Sequence, residues 1–111
     1  MKIGILEAEF IIYKSIEIPK IDENIFCLIQ EKDGMSIVAL KENGNSQYSP
    51  IFKAFYLDEL DDFSQSGILY KILKPLKENN ISVLVLSAFN RDYIFIDKDS
   101  FPQALNLIKG L

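Results

Sequence analysis

Asp62-Phe63-Ser64-Gln65-Ser66-Gly67-Ile68-Leu69 opens the stretch that decides the fold, and Ser87-Ala88-Phe89-Asn90-Arg91-Asp92-Tyr93-Ile94 closes it. Between them Ile68, Leu69, Ile72, Leu73 and Leu76 recur at helical spacing, so one face of a helix is apolar. Lys71, Lys74, Lys77 and Glu78 take the other side. Ser64 and Ser66 are both suitable N-caps. Pro75 removes one hydrogen bond and predicts a kink near Lys71. Asn79-Asn80 supplies the left-handed residue that ends the helix. A helix start exposes amides without partners and carries the positive end of the peptide dipoles. Small residues there leave those amides open to a carboxylate or phosphate.

Working outward, Ile81-Ser82-Val83-Leu84-Val85-Leu86 is apolar on both faces and reads as a central strand. A turn at Asn90-Arg91 leads into a strand over Asp92–Ile96. A second helix follows, with Phe101, Ala104, Leu105 and Ile108 on one face. Ser100 and Gln103 have capping-box spacing, Pro102 fits the first turn, and Gly110 closes the helix. Upstream, Ile51–Leu57 reads as a strand and Asp58–Asp62 as an acidic loop. The connection from 58 to 80 is long enough for a right-handed crossover between strands running the same way. The order β-α-β-β-α is most of a split β-α-β open sandwich, an α+β ferredoxin-like fold with helices on one face. Its last strand must come from the N-terminal lobe or from another subunit.

That N-terminal lobe reads as β-rich. Extended pieces fall at Lys2–Leu6 and Glu9–Lys14, and Pro19 with Asp22-Glu23 marks a loop. Strands 25–31 and 35–40 flank Lys32-Asp33-Gly34, where Asp-Gly accepts the positive φ of a tight hairpin. Lys41 to Pro50 is polar and turn-rich, an inter-lobe connection. The expected division is a lobe over 1–49 and a βαββα lobe over 50–111.

Composition narrows the function. The chain has 111 residues, 49% of them hydrophobic, and a net charge of −4, which suits a folded domain and disfavours a nucleic-acid or anionic-membrane surface. There is no His, so the usual general base and metal ligand are missing. The single Cys27 lies in Ile25-Phe26-Cys27-Leu28-Ile29 and reads as a buried hydrophobe outside any disulfide framework. No export signal or membrane helix is visible, which points to the cytoplasm. Two further chemistries find little support in the residues. Asp58–Asp62 lacks an ordered ligand spacing for Mg²⁺ or Ca²⁺. Tyr93 and Phe95 alternate as base-stacking aromatics do, without the basic motif that accompanies them. The sequence therefore predicts neither a cofactor nor an enzyme.

Asp62-Phe63-Ser64-x-Ser66-Gly67-Ile68-Leu69, Pro75-Leu76, Ile81-Ser82-Val83 and Ser87-x-Phe89-x-x-Asp92-Tyr93-Ile94 together resemble the ACT-domain family. The similarity is to its small two-lobe branch, related to cytosolic arginine-sensor proteins and aspartate kinase regulatory domains. It is strong over 51–109, weaker over 1–50, where the hairpin Phe26 to Val38 carries it. The branch usually has Trp where Phe52 stands, Gly near Glu59, and an acidic-Thr pair at Asn90-Arg91. The resemblance implies a non-catalytic regulatory domain that binds a small ligand, often an amino acid, between paired units. It also implies homodimers formed through sheet or helix pairing, and a first lobe that is an ACT-like half.

The ligand-binding candidates are Asp62, Ser64, Ser66, Gly67, Ile68, Phe89, Asn90 and Asp92. A carboxylate would sit against the amides of Ser66, Gly67 and Ile68. An ammonium would meet Asp62, Asp92 or carbonyls near Phe89. Charge-assisted bonds of this kind contribute roughly 1.5–3 kcal/mol each. The competing possibility is a ligand-free dimerisation module, in which the serines only cap the helix and Gly67 only permits close packing.

Overall fold

The computed structural model describes residues 2–42, 49–58 and 66–111. Compactness divides the chain into two units, Met1–Glu7 with Lys53–Leu111, and Ala8–Phe52. The first seven residues thus belong with the C-terminal unit rather than with an N-terminal lobe.

The larger unit contains β1 (Lys2–Ile5), β5 (Phe52–Asp58, from Lys53 on), α1 (Ser66–Glu78), β6 (Val83–Ser87), β7 (Asp92–Asp97) and α2 (Phe101–Lys109). Its strands lie in the order β1-β5-β7-β6. β1 runs antiparallel to β5, pairing Ile3 with Leu57 and Ile5 with Phe55. The strand that the βαββα order left missing is therefore β1. β6 and β7 form the antiparallel hairpin, from Val83 opposite Ile96 to Ser87 opposite Asp92. Side-chain contacts give the sense of β5 against β7. Tyr56 meets Tyr93 at 6.0 Å between ring centroids, whereas the earlier Phe55 meets Phe101, beyond the end of β7, at 6.5 Å. The two strands are antiparallel, so β5 and β6 run the same way with β7 between them.

Period-two alternation sorts the side chains of this sheet. Phe55 and Leu57, Ile94 and Ile96 face one way and are buried with Ile72 and Leu76 of α1 and Phe101, Ala104 and Ile108 of α2. Ile3, Val83 and Val85 add partly buried contacts to the same cluster. Both helices thus cover one face, as the apolar stripes predict. Burying each large side chain contributes about 1.5–3 kcal/mol. α1 continues through Pro75 and stops at Asn80, which adopts φ 57°. Ile81 N–H donates to the Leu76 carbonyl at 2.9 Å, and Asn80 N–H to Lys77 at 3.0 Å. These two bonds, with Leu76 and Ile81 in one apolar cluster, are a Schellman stop.

Three expectations need correction. β6 is the edge of the sheet, not its centre. Val83 and Val85 pack on the helix-side cluster while Leu84 and Leu86, on the alternate face, are only half-buried, and an apolar run says nothing about backbone partners at the sides. Ser100 forms no side-chain capping bond, because it has turned into helical φ/ψ itself; its carbonyl accepts from Ala104 N–H. Gly110 ends α2 with φ −80°, without the left-handed conformation.

The smaller unit is a three-stranded antiparallel sheet, β3-β4-β2, formed by β2 (Phe10–Ser15), β3 (Ile25–Glu31) and β4 (Gly34–Leu40). Ile11, Met35, Ile37 and Ala39 are buried on one face, with Tyr13, Ile25 and Leu28 against them. Phe10 and Phe26 make an edge-to-face pair at 5.3 Å. The hairpin at Lys32-Asp33 forms as expected, but the positive φ falls on Gly34, the first residue of β4, and not on Asp33. Lys14 Nζ reaches the Asp33 carboxylate at 2.7 Å, which raises the Lys14 pKa and lowers that of Asp33. Cys27 is half-buried instead of buried, and its burial pushes the thiol pKa up. Most of the polar connection, residues 43–48, lies outside the described residues.

Gly4 sits opposite Tyr56 across the β1–β5 pair, and the tyrosine ring lies where a Cβ would be. Gly4→Ala must displace that ring from Tyr93, with an expected loss of about 1–3 kcal/mol. Chemical denaturation should show the same substitution costing less in a Tyr56→Ala background, since the obstacle is then gone.

Candidate functional site at the α1 start

α1 descends from one end of the sheet and delivers the chain to β6 at the other. Its C-terminal stop at Asn80-Ile81 lies two residues before Val83, which pairs with Ile96. Since Ile72 and Leu76 both pack on the sheet, the 13-residue helix runs back along it for about 20 Å. Ser66 therefore starts at the opposite end. That end carries Ser87 and Asp92, the last pair of the hairpin, and the chain between them. The Asp58 end of β5 points the same way, because Tyr56 and Tyr93 are neighbours. The helix start and the hairpin tip thus share one end of one sheet.

Ser66 is the first residue of α1. Gly67 follows, exposed, and among the described residues outside its own turn nothing lies within 4 Å of where a Cβ would stand. No described strand packs closely against it. Ile68 is half-buried and anchors the first turn to the core. At the tip, Ala88 N–H donates to the Arg91 carbonyl at 2.8 Å, so the turn centres on Phe89-Asn90 rather than Asn90-Arg91. Phe89 is 90% exposed, and Asn90 is exposed too. Asp92 is half-buried, at the start of β7. Asp62 and Ser64 lie outside the described residues, as does most of the acidic loop.

A grouping that the sequence did not single out, Arg91 with Tyr56 and Tyr93, lies on the helix-free face at this end. The Arg91 guanidinium stands 5.5 Å from the centre of the Tyr56 ring, which in turn contacts Tyr93. The aromatic ring holds the cation by its electron-rich face. Period-two alternation of Tyr56 against Phe55 and Leu57 was the available signal for that face. Among the described residues there is no group of three or more His, Cys, Asp or Glu arranged to hold a metal ion. No helix among them is long and apolar enough to cross a membrane.

Residues 54–109, the sheet and helices that build this end, match the ACT domain family. The chain belongs to the ACT-domain family. ACT domains are in general regulatory and non-catalytic. No curated protein sequence matches this chain as a relative. Solved structures share its fold. An Agrobacterium tumefaciens protein, Atu0741, aligns with a TM-score of 0.79 at 21% identity, covering 97% of this chain and 86% of its own. A Vibrio cholerae protein of unknown function, described as a possible transport protein, gives 0.70 at 19%, covering 95% and 84%. The aspartokinase alpha and beta subunits give 0.67 at 13%, covering 96% and 90%.

The open surroundings of Gly67 have a direct consequence for stability. Gly67→Ala meets no neighbour and removes backbone freedom from the unfolded chain, so it should stabilise the protein by about 0.4–1 kcal/mol. A urea titration checks this; destabilisation would mean that the first turn of α1 is packed after all.

Proposed function

We propose that this ACT domain is a regulatory sensor of a small zwitterion, an amino acid, bound at the α1 start. The observation that supports the reading is the open space beside Gly67 among the described residues, at the end of the sheet that bears the exposed Phe89-Asn90 tip. The ligand carboxylate takes the amides of Ser66, Gly67 and Ile68, where helix polarity favours a negative group. Its ammonium is met by Asp92, by Asp62, or by carbonyls beside Phe89, and Ser64 belongs to the proposed ligand-binding set. The chain acts without catalysis, in the cytoplasm, by transmitting occupancy to whatever it regulates.

Two copies pair in this proposal, and β6 is the edge they use. Val83, Leu84, Val85 and Leu86 carry no charge, proline or bulge, the devices that normally keep an edge strand single. The same edge favours the second reading, a pairing module without ligand. Leu84→Lys puts a charge on that edge, so analytical ultracentrifugation should find the wild type dimeric and the variant monomeric with unchanged circular dichroism. A wild type that stays monomeric at high concentration removes the pairing claim.

Ligand binding is tested separately by thermal melting with each proteinogenic amino acid at millimolar concentration. A ligand present at a hundredfold its Kd adds about 2.7 kcal/mol to stability. One or a few amino acids should raise Tm, and Gly67→Glu, which brings a carboxylate to the site, should abolish that rise. No shift with any of them leaves the ligand-free module.

A further inference from the structure

Away from the α1 start, the outward side of α1 forms an open groove lined by Tyr70, Lys71, Lys74, Pro75 and Glu78, with Leu111 beyond α2 at its side. We propose that this groove docks an acidic segment of a partner protein that carries an apolar anchor. Two observations point to that chemistry.

The groove offers apolar surface where a solvated helix face would not. Tyr70 is 65% exposed and Leu111 61%, with the flat ring of Pro75 between the polar residues of the last turns. Large apolar groups grouped on one groove are the usual anchor points of an interface. The second observation is charge. Lys71 and Lys74 stand one turn apart on the same groove, and among the described residues neither has an ion-pair or hydrogen-bond partner for its ammonium. The chain's net charge of −4 opposes an acidic partner elsewhere, so the lysine pair decides where one can approach. Acidic side chains would meet Lys71 and Lys74 while an apolar one lies between Tyr70 and Leu111. Glu78 sets the direction, because it disfavours acidic residues at its own end.

The full chain, labelled with ¹⁵N, tests this by titration with a glutamate-rich peptide containing one leucine and one phenylalanine. Two controls are the same peptide with alanine at both apolar positions and the same peptide with lysine for glutamate. The expected result is that amide signals of Tyr70, Lys71, Lys74 and Leu111 move with the first peptide, that alanine weakens binding about tenfold, and that the basic peptide moves nothing. Lys71→Glu with Lys74→Glu should also weaken binding about tenfold or more while leaving the circular dichroism unchanged. Equal binding of the alanine peptide would mean bulk charge alone and overturns the proposal. So would binding that survives the double variant, or no movement at millimolar peptide. Shifts of these signals with protein concentration alone would assign the groove to a second copy and overturn it equally.

Discussion

The placement of both helices in the larger unit follows from keeping one face of a four-stranded sheet dry, although Ala54 and Phe95 on the other face are buried too. Phe55, Leu57, Ile94 and Ile96 must be covered, and α1 and α2 cover them with Ile72, Leu76, Phe101, Ala104 and Ile108. A helix laid on a sheet to bury a stripe has little choice of direction when short connections tie both its ends. The link from Leu76 through Asn80 to Val83 is such a tie, so the α1 start is driven to the far end. The α1 start lies at the same end as the β6–β7 turn. Geometry of a site is thus a by-product of where the apolar surface goes.

What the residues revealed, and what they concealed, divides along the same line. The stripes of α1 and α2 and the Asn80 stop depend on neighbours within a turn or two, and they were legible. So was the need for an extra strand. Its identity was not, because four residues at positions 2 to 5 find β5 more than fifty positions away, and no local pattern encodes that pairing. The trace that does exist is Gly4, whose missing side chain makes room for the Tyr56 ring. β6 misled for a different reason. Alternation reports burial of faces, whereas an edge is defined by backbone hydrogen bonds, which side chains record only when they protect the edge with charge or proline.

For the candidate site, Gly67, Ile68, Phe89, Asn90 and Asp92 could be picked from the sequence because the helix start and the hairpin were both readable there. The Arg91–Tyr56–Tyr93 stack could not, since it needs β5 and β7 to be adjacent and oppositely directed. That stack occupies the helix-free face of the same end and lies at the base of the hairpin. Family membership supplies the regulatory context. Phe89 leaves an exposed apolar ring at the hairpin tip.

The most direct measurement is an NMR titration of the ¹⁵N-labelled protein with the amino acids, read at single amides. The account predicts saturable movement of the Ser66, Gly67, Ile68 and Asn90 signals with at least one amino acid, at concentrations that leave the β2–β4 sheet unmoved. Spectra in which those four amides stay fixed while all amino acids reach saturating millimolar levels would contradict it.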